Sequence, residues 1–244
     1  MSFPILQSSR IFNPVDDIPG IFAWYHANNV YGNNTNPTTG TAIATWADLT
    51  PNGYDFTQGA GAAQPTFTTN LQNDHPGIVF NMASDLVGPN SFLLNLSTTY
   101  TIYIVMKSDT AVNLQEIPLV AVADDLSNRF IFLVPNDGNT SVYMDFGDLF
   151  AGSRLVVSEA DIYSSPYAHC FEIDPPNMTN YRNNIQKVTN ATALSFTPGA
   201  KIPHMGWELS PNYTCYEMIC CNSAHDSTTR EQIFSYLNNY WELY

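Results

Sequence analysis

Apolar and polar residues alternate with a period of two along most of this chain, and one stretch alone keeps the spacing of a helix. The clearest alternation runs over residues 100–107. Tyr100, Ile102, Ile104 and Met106 form one face, and Thr101, Tyr103, Val105 and Lys107 form the other. Successive side chains of a strand point to opposite sides, so the first set reads as core and the second as a partly open face. Shorter strands are predicted at 21–26, 43–46, 65–69, 77–82, 116–123, 128–134, 140–146, 154–157, 167–173, 178–182, 185–189, 202–206 and 213–222. Turn chemistry separates them: Pro51-Asn52-Gly53, the Asp137-Gly138 pair and Asn183-Asn184 all suit tight reversals. In the 128–146 hairpin, Phe130, Phe132 and Val134 should share a face with Val142, Met144 and Phe146, leaving Arg129, Tyr143 and Asp145 on the other. Ile233, Phe234, Leu237 and Trp241 recur at helical spacing, and Thr228-Thr229-Arg230-Glu231 fits a capping box at that helix's start.

The pattern therefore predicts an all-β protein of two stacked antiparallel sheets closed by one C-terminal helix. Residues 1–18, with Pro4 and Pro14, read as an arm; residues 19–244 read as a single domain, because no repeat, linker or change of composition divides them. The arm suits either an anchor to a neighbour or a free tail.

Composition narrows the partners. Hydrophobic residues make up 44% and suffice for a large core, whereas charged residues make up only 12%, about half the usual share of ~25%. The surface is accordingly rich in neutral Asn, Thr and Ser. A net charge of −14 repels nucleic acid and anionic membranes. The N-terminus lacks the charged and apolar regions of a secretory signal, and no run is apolar enough to span a bilayer. Cys170, Cys215, Cys220 and Cys221 lack the spacing of a zinc site and read as buried thiols. The histidines have no ligand-spaced companion, so neither a metal nor a cofactor is expected. Glycoside hydrolysis needs two carboxylates facing each other across a groove. The nearest string, Asp145-Phe146-Gly147-Asp148, does not offer a strand-spaced pair, and no catalytic residue is assigned.

Sugar recognition needs aromatic rings beside hydrogen-bonding groups in a concave surface. Tyr103, Arg129, Tyr143 and Asp145 on the open sheet face, with Trp207 in the loop after Gly206, are the candidate ligand-binding residues. Arg129 and Asp145 also read as a simple cross-strand ion pair. Trp24, Trp46 and Trp241 read as core.

Several segments resemble the concanavalin A-like lectin/glucanase superfamily, and within it the laminin-G-like jelly-roll domains of bacterial surface proteins and of phage or viral virions. They are Ile18–Tyr25 (IPGIFAWY), Trp46-Ala47-Asp48 with Pro51-Asn52-Gly53 and Asp55-Phe56, Gln64-Pro65-Thr66, the run from Pro76 to Asn81, Tyr100–Val105, and Tyr216–Asn222 with the helix through Trp241. They follow the family's order over roughly residues 18–242. The chain departs at His26 and Asn81, where acidic residues are usual, so a calcium site is not implied. The resemblance implies a jelly-roll β-sandwich that binds carbohydrate or protein in most members and hydrolyses in some. It leads to the expectation of a non-enzymatic virion surface protein — fibre, tail or capsid decoration, made in a host cytoplasm. Such a protein would bind host glycan or neighbouring virion proteins, as a homo-oligomer of trimer type. The alternatives are a purely structural decoration protein and a carbohydrate-active hydrolase.

Overall fold

The computed structural model describes residues 12–96, 98–108, 118–121, 128–136, 141–147, 153–158, 165–191, 196–206 and 212–244. Their strands, in chain order, are β1 (Ile21–His26), β2 (Thr45–Trp46), β3 (Phe56–Thr57), β4 (Thr66–Gln72), β5 (His75–Phe80), β6 (Leu86–Val87), β7 (Tyr100–Ser108), β8 (Leu119–Ala121), β9 (Arg129–Asn136), β10 (Ser141–Gly147), β11 (Arg154–Ser158), β12 (Tyr167–Asp174), β13 (Asn177–Arg182), β14 (Ile185–Ala191), β15 (His204–Met205) and β16 (Tyr213–Cys221). The helices are α1 (Pro14–Asp17), α2 (Asn90–Leu94) and α3 (Ser227–Trp241). Sheet I has the order β14-β13-β12-β7-β16-β5-β4, with β1 added on β16. Sheet II has the order β11-β10-β9-β8-β15-β6-β3-β2. The pairings are antiparallel, and the two sheets stack as a jelly-roll sandwich.

The core is built from the alternation. Tyr100, Ile102, Ile104 and Met106 of β7 face inward, as do Phe130, Phe132, Met144 and Phe146 of the β9–β10 hairpin. Phe132 of sheet II stacks on Phe171 of sheet I with centroids 4.1 Å apart, and Tyr100 meets Phe130 and Phe146 at 5.8 and 5.3 Å. A one-residue slip of β7 would turn Thr101 and Lys107 into this layer, so the register is set by which face is buried.

The turn after Trp46 is held by a carboxylate. Asp48 accepts hydrogen bonds from the backbone N–H of Trp24 (3.0 Å), Thr50 (2.9 Å) and Tyr54 (3.0 Å), and from the Thr50 hydroxyl (2.9 Å). Gly53 sits in this turn at φ +67°, which an L side chain resists. One acidic residue thus ties β1 to the loop that leads into β3.

Two expectations need correction. The helix starts two residues earlier than the capping box suggests: Asp226 is the N-cap, and its carboxylate accepts from Thr229 N–H at 2.7 Å. A carboxylate there also complements the positive end of the helix dipole, which a threonine does not. The second face of β7 is not open either. Thr101, Tyr103 and Val105 are fully buried, because α3 lies over this side of sheet I and brings Phe234 against Tyr103 at 5.6 Å. The four cysteines are all buried, as their spacing suggested.

Candidate functional site

The residues singled out as ligand-binding fall into two places. Arg129, Tyr143 and Asp145 do share the outer face of sheet II. Arg154, directly across from Asp145 on β11, joins them. Its guanidinium grips the Asp145 carboxylate through two bonds of 2.6 and 2.7 Å and lies 4.7 Å over the Tyr143 ring, while Arg129 Nη2 reaches the same carboxylate at 2.9 Å. Burial pulls the Arg129 guanidinium down from its ordinary range, and the bond to Asp145 pushes Arg154 up. The middle of this face is withdrawn from solvent, with Asp145, Val120 and Ile131 0%, 1% and 4% exposed, whereas Val156, across from Tyr143, is 46% exposed. The Arg129–Asp145 ion pair anticipated from sequence is therefore one half of a two-arginine clamp.

Tyr103 does not belong to that face. It lies on the outer side of sheet I beneath α3, with its hydroxyl 2.9 Å from His225 Nδ1. The reason is parity: β7 belongs to sheet I, and its second face looks away from sheet II. Trp207 lies outside the described residues. A second polar pair, His204 Nδ1 at 2.9 Å from Asp85 Oδ2, sits across Val120 and Ile131 from Asp145, three strand spacings or about 14 Å away.

An open cleft of about 470 Å³ lies elsewhere, where α3, β1 and the loop after it meet the segment before α1. Its aromatic wall is Phe12, Trp24, Tyr236 and Tyr240; its polar groups are His26 and the amides of Asn13, Asn28, Asn29 and Asn34. The rings are fixed from behind. Trp24 Nε1–H donates to Glu217 at 2.8 Å, the Tyr236 hydroxyl donates to it at 2.9 Å, and Trp241 Nε1–H donates at 2.7 Å. Tyr240 stacks on His75 at 4.4 Å, and its hydroxyl accepts from the Asn28 amide. The last carbonyls of α3, which have no partner within the helix, are taken by the β4–β5 turn: Gln72 donates to Trp241 O at 2.6 Å and Asn73 to Tyr240 O at 3.0 Å. These bonds hold Tyr240 at the rim.

Beneath the cleft, the Glu217 carboxyl is pushed up to about 7 by burial, which its three donors only partly offset. His26, 3.8 Å from Glu217, is pulled down to about 3 by burial and by the neighbouring His75. The imidazole is therefore neutral near pH 7, where Glu217 is at its titration midpoint, and below that the two face each other uncharged. His26 Nδ1 accepts from Asn28 N–H at 3.1 Å, so its proton sits on Nε2.

Sequence reasoning missed this site because Trp24 has the hydrophobic neighbours of a core residue. Trp46 and Trp241 are indeed fully buried; Trp24 is half-buried, with its edge in the cleft. The one available signal was the run of asparagines at 28–36, which reads as a loop by composition.

Neither the protein-family models nor the curated proteins include a match to this chain. Solved structures do match by shape. One is the fourth domain of a GH43 extracellular arabinanase from Geobacillus stearothermophilus, in complex with arabinotriose: TM-score 0.58, 15% identity, 87% of this chain and 97% of that one. Another is Trypanosoma rangeli sialidase in complex with sialic acid, with a TM-score of 0.58, 11% identity and 91% of this chain covered. A third is botulinum neurotoxin type C, whose cell entry depends on two ganglioside molecules, at 0.55 and 12% identity over 89% of this chain. By fold this is a jelly-roll β-sandwich. The chain spans 33% of the sialidase and 51% of the neurotoxin chain. The expectation of a virion surface protein is overturned: these three structures are carbohydrate-active enzymes and a toxin, and none of them points to a virion.

Proposed function

We propose that this chain is a carbohydrate-binding β-sandwich of the kind that accompanies glycoside hydrolases, and that it takes sugar in the cleft beside α3. One observation carries the reading: rigidly held aromatic rings and the amides of four asparagines line one open cleft. Sugar rings stack their C–H faces on aromatic side chains, and their hydroxyls bond to amides of either polarity. Such sites need orientation more than charge. Among the described residues, the Asn28 carboxamide oxygen and the Asn34 amide nitrogen have no protein partner, so both are left for a ligand. The shape neighbours in complex with arabinotriose and sialic acid add support of a general kind.

The test is titration calorimetry with a panel of oligosaccharides, with tryptophan emission followed in parallel. Saturable binding is expected, and Tyr240→Ala should weaken it about tenfold, the equivalent of ~1.4 kcal/mol. Binding unaffected by Tyr240→Ala would place the sugar elsewhere.

A hydrolase is the second reading, favoured by Glu217. A carboxyl raised to about 7 beside a histidine suits a general acid. Against it, the Glu217 carboxylate is sealed behind Trp24, Tyr236 and Trp241, and a general acid must reach the glycosidic oxygen. Turnover of chromogenic glycosides that disappears in Glu217→Gln would reverse this ranking.

A further inference from the structure

The composition of the cleft goes further than sugar binding, to the class of sugar. None of its lining residues carries a formal charge: the walls are aromatic rings, Leu49, Pro14, four asparagines and His26, which is neutral. The described lysines and arginines all lie elsewhere. Among the described residues, the titratable groups bonded to the lining residues are carboxyls, apart from the His75 imidazole 2.7 Å from the Asn28 amide. Asp16 and Asp17 accept from Asn13 at 2.9 and 2.7 Å, Asp48 accepts from Trp24 N–H at 3.0 Å, and Glu217 accepts from Trp24 and Tyr236. An acidic sugar presents its own carboxylate, and recognition of a carboxylate relies on a guanidinium or ammonium partner. Here it would meet no described cation, with carboxylates behind the wall and a net charge of −14 on the whole chain. The two-arginine clamp offers no substitute, because Asp145 already occupies both guanidinium groups on a different face.

We infer that the cleft selects neutral glycans and excludes those bearing sialic or uronic acid. This rests on the reading of the cleft as a sugar site, and narrows it. Preference should come from the fit of rings and amides, so affinity should be nearly independent of salt.

The experiment is a competition series on the whole chain, read by tryptophan emission and by calorimetry. Neutral arabino-, xylo-, gluco- and galacto-oligosaccharides are compared with sialylated and uronic-acid oligosaccharides of similar length. The neutral set should contain a binder at least tenfold tighter than any acidic one, with its Kd unchanged between 0.05 and 0.5 M salt. Asn34→Gly keeps the left-handed backbone of that residue (φ +60°) while deleting the amide. It should weaken the neutral binder several-fold without altering the fold. Arg154→Lys should leave binding of the neutral sugar unchanged. An acidic oligosaccharide that binds as tightly as the neutral ones, or tighter, overturns the selectivity and leaves sugar binding standing. Silence across both sets overturns the sugar site itself, and the selectivity with it.

Discussion

Two buried carboxylates, one on each outer face of the sandwich, are satisfied in opposite ways. On sheet II, Asp145 is held by the guanidinium groups of Arg129 and Arg154, all three on adjoining strands of one meander. On sheet I, Glu217 is held by neutral donors, Trp24 from β1 and Tyr236 and Trp241 from α3. The first arrangement compensates charge with charge. The second compensates it with dipoles, and burial therefore raises the carboxyl to about 7. The sheet II clamp stiffens a patch of three strands. The sheet I carboxyl pins the helix and the first strand together, and so shapes the cleft between them.

The largest effect that separates the two should come from Asp145→Ala. It leaves two guanidinium groups facing each other without their counterion, and breaking a buried pair in this way costs about 3–5 kcal/mol. Urea unfolding measures it; a loss below about 1 kcal/mol would mean that the clamp is far more solvated than its geometry implies.

Next comes Glu217→Gln, which keeps a carbonyl oxygen for Trp24 and Tyr236 but turns an N–H toward the Trp241 donor. The cost should be about 1–3 kcal/mol in acid, and it should depend on pH. The folded-state pKa lies above the ordinary carboxyl value of 4.5. The stability contributed by this proton is thus fully present below about 4.5 and is lost as pH rises through about 7. The gap between wild type and Glu217→Gln should shrink by roughly 2–3 kcal/mol between pH 5 and pH 8. His26 and His169, both pulled to about 3 by burial, act in the opposite sense: their contribution is present above about 6.5 and is lost as pH falls toward 3. They are common to both proteins and drop out of the difference. A gap that stays constant across this range would show that Glu217 is ionised throughout.

Tyr103→Phe should have the smallest effect. It removes one hydroxyl bond to His225 and should cost about 1 kcal/mol. Because Tyr103 lies beneath α3, away from both the clamp and the cleft, sugar binding should be untouched. A change in affinity would place the ligand under the helix instead.

The contrast between the carboxylates also explains what could be read in advance. Arg129 and Asp145 lie on one predicted hairpin, so their parity put them on one face before any coordinates. Arg154 was missed because the strand that carries it was not assigned a neighbour. Glu217 was not legible at all: Trp24, the donor on β1, is 193 residues away in sequence, and no local pattern relates the two. Tyr103 shows the converse error. Its parity on β7 was read correctly, but parity cannot say what lies over the face it points to.

Alternation of apolar residues, turn chemistry and one helical repeat were enough to determine an antiparallel sandwich with a C-terminal helix, because each is a property of neighbours along the chain. The partition of strands between sheets, the landing of α3 on sheet I, and the meeting of Trp24, Tyr236 and Tyr240 with the 28–34 asparagines were decided only in three dimensions. They depend on which distant surfaces bury each other best, and that free energy is carried by contacts between segments that no single stretch of sequence contains.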